Sequence, residues 1–312
     1  DGELYLRHIQ FGVFSPINRL HCCNSPSTTK EPCVYKNGVG GIVADWLRLR
    51  HKMIPFLYSA DYRCYSNAEQ LIEPLYYEYK TSAAYKMKNE YIFGKNLLVA
   101  PVTEHTKNDG YARVKVWLPQ GVWTDVFTQD VYSVSDKNGK VMTMLRNLDS
   151  IPVLAKSGTI FPLSLDEGNS VSNPEKMQIN VYFGNGEFSL YEGDEDASCI
   201  TGFNLSYAEE NGRCTQNLTI KPSGDLSVLP QKRSFTFNFI NIFDPAVVVY
   251  VNDKAVEDFD SADDLTFTLS INAGDSLSIK VEYKKADEVS FCIKKALKIL
   301  QQSNGNYEQK DL

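Results

Sequence analysis

The first 94 residues and the remainder of the chain differ in the spacing of their apolar side chains. Near the start, Leu4, His8 and Phe11 recur at intervals of three and four residues behind an acidic first turn, and Gly12 closes the run. This spacing predicts a helix whose buried face carries these three residues. His8 is accordingly interpreted as a packing residue and not as a chemical group.

A longer apolar stripe predicts a second helix, with Asp45 in its first turn. Pro55 lies within the stripe and should kink the helix, because proline has no backbone donor and its ring clashes with the preceding turn. The patterning becomes strand-like near Gly94, so the helical part is predicted to comprise residues 1–94. The stripe consists of Trp46, Leu49, Met53, Leu57 and Ala60.

Short apolar runs separated by Gly, Asn and Pro follow from Leu97 onward and predict β-strands. The continuous run 96–102 and the pair Ile151–Leu154 and Thr159–Leu163 indicate a first antiparallel domain over residues 95–168. A polar stretch, Asp166 to Pro174, is typical of a linker.

A second series of short strands predicts a β-sandwich over residues 169–284, because many short strands with Gly and Asn turns are typical of that architecture. The last segment, residues 285–312, is predicted to be a helical tail whose apolar stripe needs a partner surface to be stable. That stripe consists of Val289, Ile293, Ala296, Leu297 and Leu300.

Charge and cysteine content narrow the functional classes. A net charge of −7 and a pI near 5.3 argue against nucleic-acid binding, which needs clustered Lys and Arg. Seven scattered cysteines without a C-x-x-C pair indicate neither a disulfide framework nor a zinc site, and favour a cytoplasmic location. No run is long enough to span a bilayer. The acidic run Glu192–Asp196 lacks the register of a calcium loop and is interpreted as a solvated hairpin turn, so neither a metal nor a cofactor is expected.

Several motifs occur in a fixed order over the first two thirds of the chain: ELYLRHIQFGVFSP at residues 3–16, EPCVY at 31–35, RHKMIPFLY at 50–58, NEYIFG at 89–94 and LLVAPV at 97–102. WLPQGVW at 117–123, IPVL at 151–154 and LYE at 190–192 follow. In order and spacing this set resembles the C-terminal part of glycoside hydrolase family 31, the α-glucosidase and α-xylosidase family.

The resemblance implies a fold class of multidomain α/β plus all-β: the terminal part of a (β/α)₈ barrel, two antiparallel β-sandwich domains and a short C-terminal helix. It also implies a parent enzyme that cleaves terminal α-linked glucose from oligosaccharides by a retaining mechanism, with two carboxyls about 5–5.5 Å apart. The family's nucleophile and acid/base Asp motifs do not occur in this sequence. The catalytic residues and the rest of the barrel are therefore expected upstream, and the chain alone is expected to be inactive.

Among the residues of this chain, the resemblance assigns one to the sugar site. His21, in Arg19-Leu20-His21, matches the family histidine that hydrogen-bonds the sugar undergoing cleavage, and an imidazole can serve a vicinal diol through both ring nitrogens. The plain alternative is a histidine satisfied by local backbone. Arg19 and Cys33 are secondary substrate-binding candidates.

Two departures from the family pattern affect the outer part of the site. Cys33 stands where the family usually has Trp, which removes an aromatic face, and Glu73 replaces an Arg before Pro74.

Two alternatives to an α-glucosidase function remain open. One is an α-xylosidase of the same family, and the other is a non-catalytic carbohydrate-binding β-sandwich module.

Overall fold

The structure is a computed structural model that describes residues 1–22, 29–36, 38–261 and 264–285, together with residues 292, 293 and 296. The α-helices of the first four ranges all precede residue 87, and these ranges also contain 3₁₀ turns at Pro32–Val34 and Leu226–Val228. They are α1 (Gly2–Val13), α2 (Val39–Lys52), α3 (Ile54–Asn67), α4 (Leu75–Glu78) and α5 (Ser82–Lys86).

Helix α1 forms where the apolar spacing places it, but it turns the opposite face inward. Asp1 caps its first turn by accepting a hydrogen bond from the backbone N–H of Leu4. Leu4, His8 and Phe11 are all exposed, so the prediction that they form the buried face is wrong. The opposite side of the helix is buried instead, and it carries Tyr5, Leu6, Ile9 and Val13, with Arg7 and Gln10.

The predicted long helix is interrupted rather than bent. Helix α2 ends at Lys52, Met53 is the junction, and α3 begins at Ile54. Pro55 therefore lies in the first turn of a new helix, where its missing N–H has no intrahelical acceptor to lose. Trp46, Met53 and Ala60 from the predicted stripe are buried, so the stripe itself is confirmed.

Two sheets occupy residues 72–156. A six-stranded antiparallel sheet has the order β1-β2-β3-β8-β5-β6, and β4 and β7 form a separate two-stranded ladder. The strands are β1 (Ile72–Pro74), β2 (Tyr91–Phe93), β3 (Leu97–Val99), β4 (Ala112–Leu118), β5 (Gly121–Asp125), β6 (Val131–Val134), β7 (Lys140–Arg146) and β8 (Val153–Lys156).

The later strands form two further sheets, of orders β17-β14-β10-β9 and β11-β12-β13-β18-β15-β16. All their pairings are antiparallel except that of β10 with β14. The strands are β9 (Ile160–Ser164), β10 (Lys176–Val181), β11 (Gly186–Gly193), β12 (Ser198–Glu210), β13 (Arg213–Gly224), β14 (Lys232–Phe239), β15 (Val248–Val251), β16 (Lys254–Val256), β17 (Leu265–Asn272) and β18 (Leu277–Lys284).

The predicted combination of a helical start with antiparallel β-sandwich structure is confirmed. Two of the sheets also include strands from both sides of the domain boundaries predicted at residues 94 and 168. Strands β1 and β2 lie before residue 95 but pair into the first sheet, and β9 lies before residue 168 but pairs with β10. The division at residues 94 and 168 stays a prediction.

One phenylalanine joins α3 to three sheets. The ring of Phe56 lies 6.0 Å from that of Phe93 on β2, 5.0 Å from Phe161 on β9 and 5.9 Å from Phe188 on β11, measured between centroids. All four rings are buried. Helix α3 is therefore held to each sheet through the same side chain, and its position is fixed by packing on all three.

Residues 194–196 of the acidic run lie in the turn between β11 and β12, as predicted, but Glu192 belongs to β11 and is not solvated. Glu192 is buried against Arg233, whose Nη1 lies 2.9 Å from Glu192 Oε2 and whose Nε donates to the carbonyl of Pro174. A buried carboxylate and guanidinium compensate each other's desolvation only when paired in this way. Within the described ranges, His, Cys, Asp and Glu form no group of three that could hold a metal ion.

Most of the predicted tail helix lies outside the described residues. Of residues 286–312, only 292, 293 and 296 are described, and all three are helical. In the part of the chain that the structure covers, no helix is long and apolar enough to cross a membrane.

Gly94 provides a test of how tightly α3 is packed. Its φ is +59°, and a Cβ added there would lie 2.2 Å from Cζ of Phe56. Gly94→Ala should therefore lower the free energy of unfolding by about 2–4 kcal/mol, from backbone strain and overpacking together. Gly110→Ala is the control, since Gly110 has φ +83° but nothing within 4 Å. Equal losses for both variants in urea denaturation would contradict the packing argument.

Glu90 should make stability depend on pH. Its side chain is 5% exposed, both oxygens lie within 3.2 Å of the Trp117 backbone N, and burial raises its pKa to about 8. Because the folded pKa exceeds the unfolded value of 4.5, this contribution to stability is full below pH 4.5 and is lost as the pH rises toward 8.

Glu90→Gln keeps an acceptor for the Trp117 N–H and removes the titration. The variant should be more stable than the parent above pH 8, by roughly 1.4 kcal/mol per pKa unit removed. Near pH 4.5 the two proteins should be close in stability. Thermal denaturation across this range, with exposed Glu104→Gln as the control, measures the effect. Parallel curves for parent and Glu90→Gln would rule it out.

Candidate functional site

The segment that leaves α1 is fixed by Arg50 of α2. Its Nη1 donates to the carbonyls of Val13 at 2.8 Å and Ser15 at 2.6 Å, and its Nη2 donates to Pro16 at 2.8 Å. Carbonyls at the end of a helix lack intrahelical donors, and a guanidinium fan satisfies several at once. The irregular backbone that continues toward residue 22 therefore starts from a defined position.

Gly12 contributes to the same arrangement. A Cβ at this position would lie 2.8 Å from the side-chain oxygen of Asn18. The absence of a side chain lets the segment fold back against α1. The chain is thereby directed along the helix, toward its first turns.

A groove of about 440 Å³ lies between this returning segment and α1. It combines aromatic and apolar walls with histidine, arginine and lysine side chains, a composition suited to a sugar, which presents both C–H faces and hydroxyls. The lining residues are Asp1, Leu4, Tyr5, His8, Ile9, Arg19, Leu20, His21, Lys30 and Tyr35.

His21 and Arg19 meet at this groove, and both are exposed. Arg19 Nη2 lies 3.2 Å from His21 Nδ1. Because a guanidinium can only donate, Nδ1 must be the acceptor in this hydrogen bond, which puts the ring proton on Nε2. The pair therefore leaves an imidazole N–H donor available on His21, with the remaining guanidinium donors beside it.

The inner wall of the groove contains an aromatic pair that the sequence analysis did not identify. The rings of Tyr5 and Tyr35 stack with centroids 3.9 Å apart, and the Tyr5 hydroxyl donates to the carbonyl of Lys30 at 2.5 Å. Burial raises the pKa of the Tyr5 phenol to about 12, so it stays protonated and keeps this bond at neutral pH. No local pattern links residues 5 and 35, since only the fold brings them together.

The other residues singled out from the sequence are placed differently. His8, expected to be buried, lines the groove on the exposed face of α1. Cys33 is an exposed free thiol in the 3₁₀ turn Pro32–Val34 and is not among the residues that line the groove. The structure thus brings Arg19 and His21 together, adds His8 to them, and leaves Cys33 outside.

Carboxyl groups are scarce at the groove. Asp1 is the single acidic residue among the ten described residues that line it. A retaining glycosidase needs two carboxyls about 5–5.5 Å apart, one to attack and one to protonate the leaving oxygen. The described part of the groove can therefore bind and orient a polyol through its imidazole, guanidinium and phenol groups, but it does not contain that pair.

Comparison with known protein families matches two consecutive parts of the chain. Residues 1–60 match the profile described as "Glycosyl hydrolases family 31 TIM-barrel domain", and residues 68–161 match "Glycosyl hydrolase family 31 C-terminal domain".

Two curated relatives illustrate the range of named activities. An α-xylosidase of Saccharolobus solfataricus is 30% identical over 200 residues, which are 62% of this chain and 25% of the relative. α-Glucosidase 2 of Bacillus thermoamyloliquefaciens is 26% identical over 198 residues, 62% of this chain and 24% of the relative. The chain thus spans about a quarter of the length of these proteins.

A solved structure extends the similarity beyond the matched residues. The Flavobacterium johnsoniae GH31 dextranase complexed with glucose superimposes with a TM-score of 0.74 at 22% identity, covering 91% of this chain and 37% of the dextranase. At that identity the match speaks for the fold alone. The two consecutive domain matches and the named relatives lead to one conclusion: the chain belongs to glycoside hydrolase family 31, with sequence of the family's TIM-barrel domain followed by that of its C-terminal domain.

Proposed function

We propose that this chain supplies part of the sugar-binding subsite of a glycosidase that releases terminal α-linked glucose from oligosaccharides with retention of configuration. The observation that carries the proposal is the Arg19 and His21 pair at the groove beside α1, with its donor-rich composition. His21 would hydrogen-bond the hydroxyls of the sugar undergoing cleavage. The tyrosine wall formed by Tyr5 and Tyr35 would support the less polar face of the ring.

The remaining barrel would be the partner of the exposed face of α1. Leu4, Phe11 and Ile17 are large apolar side chains on or next to this helix, and all three are exposed in the described structure. Apolar side chains grouped in this way favour contact with another protein surface. The nucleophile and the acid/base carboxyl would come from that part of the enzyme, which agrees with the scarcity of carboxyls at the groove.

An α-xylosidase is the second candidate, and a specific observation favours it: the relative with 30% identity carries that name. The two activities differ in whether the site accommodates the hydroxymethyl group of glucose. The ratio of kcat/KM on aryl α-glucoside and aryl α-xyloside, measured with a protein that includes the whole barrel, decides between them. A non-catalytic binding module is less well supported, because such a module has no use for the TIM-barrel sequence matched in residues 1–60.

The 312-residue chain alone should not hydrolyse aryl α-glucosides or aryl α-xylosides above background. The binding groups of the groove cannot replace a missing nucleophile and a missing proton donor. An absorbance assay that monitors release of the aryl group over hours at high protein concentration checks this. A protein extended to include the upstream barrel is the positive control. Turnover that rises in proportion to the concentration of the pure chain would refute the assignment.

In the enzyme with its complete barrel, His21→Ala should lower kcat/KM strongly and leave the melting temperature nearly unchanged. A lost hydrogen bond that strengthens in the transition state costs on the order of 2–3 kcal/mol, or roughly thirty- to over a hundredfold in rate. His51→Ala, on α2 and outside the groove, is the matched control. Normal kinetics per folded molecule for His21→Ala would show that His21 does not belong to the sugar site.

A further inference from the structure

Helix α4 and helix α5 present a group of tyrosines away from the groove. Tyr76 and Tyr77 follow each other on α4, and Tyr85 lies on α5. They are 38%, 55% and 60% exposed, respectively. Three exposed tyrosines within ten residues are unusual for a surface, because their rings are large and partly apolar.

Two inward residues, Leu75 in α4 and Tyr79 directly after it, anchor the helix and leave Tyr76 and Tyr77 at the surface. Leu75 is buried, and the ring of Tyr79 packs edge-on against Trp117 at a centroid distance of 5.7 Å. Tyr76 and Tyr77 therefore lie on the outer side of a helix that is already fixed by other contacts. The side chains of Tyr76 and Tyr77 are therefore not needed to hold α4 in place.

The three rings hold one another in defined orientations. Tyr76 and Tyr85 stack with centroids 4.7 Å apart and an interplanar angle of 10°. Tyr77 meets Tyr76 edge-on at 5.4 Å. Stacking one face of Tyr85 on Tyr76 orients its ring, so less side-chain freedom is lost when a ligand settles on the other face.

The phenol hydroxyls of this group are also free for a ligand. In the described part of the chain, those of Tyr76, Tyr77 and Tyr85 make no hydrogen bond, whereas those of Tyr58 and Tyr91 donate to backbone carbonyls at 2.6 and 2.8 Å. Each free hydroxyl can both donate and accept. Oriented aromatic faces with unpaired hydroxyls at their edges match a pyranose ring, which has C–H groups on its faces and hydroxyls around its rim.

We propose that Tyr76, Tyr77 and Tyr85 form a second carbohydrate-binding surface, a tyrosine platform that holds an α-linked glucan chain outside the catalytic groove. The choice of glucan as ligand rests on the function proposed above. The existence of the platform rests on the ring geometry and the free hydroxyls. Since the ligand is neutral, its binding should change little with salt concentration.

Affinity electrophoresis of the 312-residue chain in gels containing soluble dextran or glycogen tests the proposal. Retardation should increase with polysaccharide concentration, and Tyr85→Ala and Tyr77→Ala should each raise the dissociation constant roughly two- to tenfold, the effect of losing one aromatic contact. Tyr85→Phe should keep most of the affinity, because the ring remains. Tyr65→Ala is the matched control: Tyr65 is 85% exposed on α3 and belongs to none of the ring contacts of the platform.

The outcomes separate the platform from the catalytic assignment. Absence of retardation in both polysaccharides would overturn the platform and leave the His21 proposal standing. Retardation that persists in Tyr85→Ala and Tyr77→Ala but disappears in His21→Ala would also overturn it, because binding would then belong to the groove. Loss in the two tyrosine variants alone, with melting temperatures unchanged, supports it.

Discussion

The position of the candidate site depends on how α1 is bonded to the β-structure behind it. Arg7 Nη1 donates to Gln10 Oε1 at 2.9 Å and to the carbonyl of Ser150 at 3.1 Å, and Nη2 donates to the carbonyl of Asn147 at 2.8 Å. Gln10 in turn donates to the carbonyl of Leu148 at 2.7 Å. Buried carbonyls in an irregular loop need such donors, and a buried guanidinium needs such acceptors. This network fixes which face of α1 points inward.

From that constraint the geometry of the groove follows in steps. Arg7 and Gln10 are turned inward together with Ile9 and Val13, and His8 lies on the opposite, exposed side of the helix. The end of α1 is then held by Arg50 through three carbonyls, so the segment carrying Arg19 and His21 begins from a fixed point. Two arginines that do not line the groove thus place the groups proposed to bind a sugar.

Features that depend on local apolar spacing could be predicted from the sequence. Prediction failed where polar contacts between residues distant in the sequence determine which side chains are buried. The stripe from Trp46 to Ala60 and the antiparallel strands were recoverable because their apolar periodicity is strong. The inner face of α1 was assigned wrongly because Arg7 and Gln10 count as polar in any periodicity, although both are buried. The stacking of Tyr5 on Tyr35 could not be predicted either, since thirty residues separate them and no spacing rule connects them.

The ring of Phe56 has a consequence for how the molecule can move. Because this one buried side chain contacts rings on β2, β9 and β11, pulling α3 away from any of the three sheets would expose apolar surface on the others as well. Hinge motion needs an interface that can open at low cost, and this one cannot. Helix α3 and the three sheets therefore move as a single body, and the contact between them does not act as a hinge.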